Sequence, residues 1–361
     1  MNLLALMMAV SDYSRLFIRS RNLFWPAAVL AITVVGSSVR ADDYMTDEKQ
    51  QFLISAQSHL LNDRFDSAQK TLDSLVGMDS ADPIGYLFKA AVYLARMTDA
   101  EEELDSDEFR RLADTSISLA EIRLVDASGR QAAWMYLWLG HAKAYRSLWE
   151  SRFGSFTSAL KLALNARSDY EKGFESDSTL YDLYGGLGMY HYWKSAKAGI
   201  LRWLQIFKND REKGVDELYL AVDSSIISRH PARNALIWIW LDMDKYDSVV
   251  TICEEMLGQF PDGKLFLWPL AEALYEKKNY DGAIEVYLRL RGKLAVSPGN
   301  YYNLVECDYN LNRCFDRLDR EKDAIEAARR VEDYYDLIPD KTKRRQRSKL
   351  DFLRRFARRV P

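Results

Sequence analysis

The stretches "LIWIWLDMDKYDSVVTICEEMLGQFP" and "LFLWPLAEALYEKKNYDGAIEVYLRLRGKLAVSP" share one plan: an apolar helical run, a break, Tyr-Asp, a small or β-branched residue three after the Tyr, another apolar run, then Pro. Tyr246 and Tyr280 hold the same place 34 residues apart. A period of roughly 20 to 50 residues means that each unit is one supersecondary element that cannot bury its apolar face alone, so neighbours must stack. Leu236 and Trp240 correspond to Leu270 and Leu274 as the inner face of a first helix, and Val249 and Ala283 stand where close packing requires a small side chain. Pro261 ends one unit, and Pro298 ends the next after three extra residues. Fainter copies carry Phe65, Ala68 and Pro83 near the start of the chain, and Ala324 and Pro339 near its end. Between them, residues 84–96, 109–124, 131–150 and 158–174 show apolar residues at three- and four-residue spacing, which predicts further antiparallel helix pairs. A chain of 361 residues that is 48% hydrophobic can bury a core, while 8 prolines and 17 glycines are too few for many short strands. No Pro, Gly or Ser-rich linker splits the array, so the expectation is one continuous all-α solenoid over residues 42–340.

The period and the helix-turn-helix plan resemble the tetratricopeptide-repeat family. That resemblance implies that first helices of successive units line a concave groove that holds peptides. It puts Asn234, Trp238 and Leu241 of one unit, and Trp268, Glu272 and Tyr275 of the next, on the groove wall. Two tryptophans there would offer large rigid contact area with a polar handle. The alternative is that these aromatics pack between helices.

Residues 183–218, "LYGGLGMYHYWKSAKAGILRWLQIFKNDREKGVDEL", suggest a phosphate loop at first sight. A dinucleotide fingerprint needs Gly-x-Gly-x-x-Gly between a strand and a helix, but His191 stands at the third Gly and residues 179–184 read as a helix start. Gly185 and Gly188, three apart on a helix, are instead expected to let a neighbouring helix approach. Asn209 followed by Glu212 has the spacing of a capping box. The stretch also resembles the signature of the tetratricopeptide-repeat protein 39 and inclusion-body clearance family through Gly186, Gly188, Ser195, the "ILRWLQIF" run, Asp210, Arg211 and Gly214. That implies a repeat scaffold without known catalytic residues.

The two ends differ in character from the body. Arg15, Arg19 and Arg21 precede the apolar run 23–36, and Val39 and Ala41 are small residues before a cut, which is the pattern of a secretory signal over residues 1–41 with a mature start at Asp42. An uncleaved anchor is the alternative, although the run is shorter than the roughly 20 residues that span a bilayer. No Cys follows it to accept a lipid. A soluble periplasmic or secreted protein is expected. Residues 1–41 carry +3 and residues 341–361 carry +9, so the body bears −15 of the whole-chain −3.

In the basic tail, Leu350, Leu353, Phe356, Ala357 and Val360 recur at helical spacing among Arg344, Arg345, Arg347, Arg354, Arg355 and Arg358. Such a helix either lies on an anionic membrane surface or caps the solenoid with its charges solvated or facing the acidic body.

Little catalytic chemistry is legible. Cys253, Cys307 and Cys314 read as buried small hydrophobes, and a separation of seven along one helix keeps Cys307 and Cys314 from bridging. His59, His141, His191 and His230 are too scattered for a metal motif, and the acidic run 99–108 lacks the central Gly of a calcium loop and reads as a solvated hairpin. No Gly-x-Ser-x-Gly or Cys-His pattern occurs. The expectation is a non-catalytic exported scaffold that binds a protein or peptide partner, without cofactor, metal or nucleic acid. The alternatives are a peripheral envelope component held by its basic tail and, third, a helical hydrolase of an envelope polymer.

Overall fold

The computed structural model describes residues 44–197, 209–297 and 299–359. The export signal read at residues 1–41, the mature start at Asp42, the apolar run 200–207, Pro298 and Val360 lie outside them. Sixteen α-helices account for most of the described chain. The first six are α1 (Asp47–Leu61), α2 (Phe65–Met78), α3 (Pro83–Ala100), α4 (Ser106–Leu124), α5 (Gly129–Phe153) and α6 (Phe156–Ser176). There follow α7 (Leu183–Lys197), α8 (Arg211–Ser224), α9 (Arg229–Asp242), α10 (Tyr246–Gln259), α11 (Lys264–Glu276) and α12 (Tyr280–Ala295). The array ends with α13 (Tyr301–Arg317), α14 (Glu321–Tyr334), a 3-10 turn (Tyr335–Leu337), α15 (Asp340–Arg345) and α16 (Arg347–Ala357). Among the described residues, consecutive helices pack on one another from α1 to α14, which gives seven helix pairs in an all-α solenoid. The helix predicted to begin within 179–184 starts at Leu183, because the preceding residues form turns.

The repeat is written into the turn between the two helices of a pair. Asp63, Asp244, Lys278 and Asp319 all have φ between 54° and 63°, and each lies two residues before a second helix. A left-handed residue there reverses the chain sharply, and a non-glycine side chain in that region carries a cost that the packing of the two helices offsets. The small residues expected at the crossing, Ala68, Val249, Ala283 and Ala324, are fully buried. Toward the N-terminal half, α5 is buried nearly all round, with Trp134 and Trp138 stacked at 5.1 Å. Tyr44 closes that core, accepting from Trp138 Nε1 at 3.0 Å and donating to Asp82 at 2.6 Å.

The glycine-rich stretch is a helix crossing. A Cβ on Gly188 would lie 2.6 Å from the Gly214 carbonyl oxygen, and one on Gly214 would lie 2.6 Å from the Gly188 oxygen, so α7 and α8 touch backbone to backbone. Gly185 takes no part in a close crossing, since a Cβ there meets only Ser228 at 3.5 Å, whereas one on Gly186 would meet the Tyr170 ring of α6 at 2.6 Å. Ser195 Oγ accepts from the Asp210 amide at 2.8 Å, Lys194 pairs with Asp210 at 2.6 Å, and Arg211 donates to the Ala196 carbonyl. Of the signature residues, Gly188, Ser195, Asp210, Arg211 and Gly214 therefore hold α7 against α8. The capping box is corrected: α8 opens at Arg211 with Asp210 at the cap, and Asn209 Oδ1 only accepts from the Arg211 amide at 3.4 Å.

The solenoid closes on itself. The last turns of α1 and the turn after it abut the turns leading into α9 and α11: Gln57 donates to the Ile227 carbonyl at 2.9 Å, the Asp262 amide donates to Asn62 Oδ1, and the Lys264 amide donates to Asp63. The end of α3 meets α11 and α13, where Lys264 Nζ lies 3.1 Å from Asp63 and 3.3 Å from Asp99 while Asn300 and Asn303 donate to the Asp99 carbonyl. Each of the first two pairs thus rests on pairs four or five further along. Part of the acidic run expected to be a solvated hairpin is used here, since Asp99 and Glu101 are largely buried and Glu101 takes both Arg152 and Arg345. Opposite charge drew them in.

The tail is two helices rather than one, broken at Gln346, whose buried amide donates to the Tyr302 carbonyl. Leu350, Leu353, Phe356 and Ala357 are buried against α13 and α14, so α16 caps the array.

Candidate functional site: one face each of α9, α11 and α13

Asn234, Trp238 and Leu241 fall at i, i+4 and i+7 and share one face of α9, as Trp268, Glu272 and Tyr275 do on α11. Leu241 and Tyr275 are buried in the C-terminal core, whereas Asn234, Trp238, Trp268 and Glu272 are half-buried. Trp238 packs between two apolar clusters and Trp268 lies edge-on to Tyr287 at 6.3 Å, so both tryptophans stabilise the fold and also present an accessible edge.

The face continues onto α13. Arg313 donates to the Tyr275 hydroxyl at 2.7 Å with its guanidinium 4.2 Å from that ring, and lies 5.7 Å from Tyr309. Phe352 of α16 meets Tyr309 at 5.3 Å and closes the row. Sequence reasoning missed Tyr309 and Arg313. They follow Trp268 and Glu272 by 41 residues, the spacing of Ala283 and Ala324, so the lengthened unit hid them from a 34-residue frame.

One turn before Asn234 on the same face stands His230, edge-on to Phe260 at 5.0 Å. Burial, then Arg233 and Arg229, pushes its imidazole below the usual range, which keeps it neutral. Both His230 Nδ1 and Asn234 Oδ1 are buried atoms with no hydrogen-bond partner among the described residues. A buried polar atom left unpaired costs about 1–3 kcal/mol, so two in line at four-residue spacing suit a ligand that brings hydrogen-bonding groups, a donor for Asn234 Oδ1 among them.

Two further histidines have structural partners. His141 bonds Tyr170 at 2.8 Å and burial pushes it down to about 4, and His191 bonds Glu217 at 2.6 Å. Cys253, Cys307 and Cys314 are buried and unbridged, and burial pushes the Cys314 thiol up to about 12. Among the described residues no three His, Cys, Asp or Glu side chains gather as metal ligands would.

The tail arginines differ in their partners. Arg345 is bound to Glu101 and lies over Tyr302 at 4.3 Å, Arg354 lies over Tyr335 at 4.4 Å, and Arg355 donates to the Asp351 carbonyl. Arg344, Arg347 and Arg358 are exposed. No helix among the described residues is long and apolar enough to cross a membrane. A scan against protein-family models finds no match, and neither does a search of curated proteins.

Proposed function

We propose that this chain is a non-catalytic, exported scaffold of tetratricopeptide-like units, and that it binds an extended peptide segment of a protein partner along the faces of α9, α11 and α13 that carry Trp238, Trp268 and Tyr309. The observation that carries this reading is the line His230, Asn234, Trp238: two unpaired buried polar atoms followed by an accessible tryptophan edge. An extended peptide offers a backbone N–H donor to Asn234 and apolar side chains to Trp238 and Trp268. Arg313 and Glu272 supply charges of both signs for orientation. The tail is the weaker docking element, because its apolar stripe is covered by α13 and α14.

The test is selection of peptides from a displayed random library on residues 42–361, followed by affinity measurement on variants. Asn234→Leu removes an unpaired acceptor, so it should raise Tm slightly while weakening the selected peptides about tenfold or more. Trp268→Ala should weaken them as well. Failure to select any peptide, or peptides that bind Asn234→Leu and Trp268→Ala as tightly as the parent, would overturn the proposal.

A further inference from the structure

The contacts that close the solenoid are of a different kind from those that build it. Successive helices meet through fully buried apolar side chains such as Val249, Ala283 and Ala324. The seam between the first two pairs and the C-terminal half is held mainly by hydrogen bonds and ion pairs. Arg64 and Asp262 pair at 2.9 Å while about half exposed, and Lys264 sits buried between Asp63 and Asp99. Exposed pairs contribute little and are screened by salt, and a buried pair returns much of its attraction as desolvation. Apolar closure rests on few side chains: Ile226 and Ile227, just before α9, pack on the N-terminal core, and Leu61 packs on the C-terminal core beside a point where a Cβ on Gly263 would lie 2.3 Å from the Leu61 carbonyl oxygen.

We propose that this seam is a latch, which opens as a unit ahead of unfolding and converts the closed solenoid into an extended one. Opening rehydrates Asp63, Asp99 and Lys264, breaks no helix, and uncovers the N-terminal ends of α9, α11 and α13. These are the ends from which the faces bearing Asn234 and Trp268 begin, so the latch controls how much of those faces a partner reaches. The opening itself stands whether or not a peptide binds there.

Two backbone amides report on the seam directly, because the acceptors of the Asp262 and Lys264 N–H groups, Asn62 and Asp63, lie across it. Hydrogen exchange of the mature chain is expected to show both amides exchanging faster than those of α5, with a further acceleration of about tenfold between low salt and 1 M NaCl. Gly263→Ala wedges the seam at its closest approach, and its φ of −68° accepts any residue. Lys264→Met keeps the apolar stem and leaves Asp63 and Asp99 to repel each other. Either variant should abolish protection at residue 262 and increase the radius of gyration in X-ray scattering while α5 stays protected. The latch is refuted if the two parent amides exchange only with global unfolding. It is equally refuted if both variants keep the parent's protection and radius.

Discussion

At the scale of single residues, empty space decides which glycines matter. Gly188 and Gly214 let two backbones touch, so alanine at either must push helices apart, and Gly188→Ala is expected to cost about 1–3 kcal/mol in chemical denaturation. Gly77 and Gly292 also lie within helices, yet a Cβ at either would meet nothing within 4 Å. Alanine there should stabilise by about 0.5–1 kcal/mol through helix propensity. The opposite signs come from one substitution type, and sequence alone ranks the four positions together. The same limit explains Gly185: spacing marked a glycine face but could not say which member met the ring of Tyr170.

At the scale of elements, α16 shows how a basic amphipathic pattern resolves. Its apolar stripe was legible, but whether lipid or protein covers such a stripe depends on what lies beside it in space. Here α13 and α14 cover it. Deleting residues 346–361 would bare that face, and we expect a clear fall in Tm with a tendency to aggregate in light scattering. Replacing exposed Arg344, Arg347 and Arg358 with Gln should leave Tm unchanged, since surface substitutions remote from packing are usually neutral. Helix pairs themselves followed from the apolar periodicity, because burial of one face per helix is a local pattern. The third strip of the candidate site, Tyr309 and Arg313, escaped because one unit is longer.

At the scale of the molecule, closure adds a pH dependence. Burial pushes the Asp99 carboxyl up to about 6 from its ordinary 3.8, with Lys264 opposing and Asp63 and Glu101 reinforcing. A carboxyl raised in the folded state binds its proton more tightly there than in the unfolded chain, so its contribution to stability grows as pH falls through 6 toward 4. Asp79, Glu108, Asp177 and Asp262 are held below their ordinary range, and their contributions are lost only in stronger acid. Tm should therefore be highest in mild acid, and Asp99→Asn should flatten the profile between about 4 and 6 when thermal unfolding is followed across that range.

By itself the sequence determined that the chain is all-α, that its helices come in pairs, which faces those helices bury, and that Asn234, Trp238, Trp268 and their neighbours share helix faces. All of these rest on residues within one or two helical turns, or on a repeat of fixed period. Only the tertiary structure decided that Asp99 and Glu101 leave solvent for Lys264 and Arg345, that the first pairs rest on turns some 200 residues away, and that His230 joins Asn234 as an unpaired polar group. The curvature of a solenoid is the sum of small rotations at every crossing. Where its ends meet is a property of that sum, and no single unit carries it.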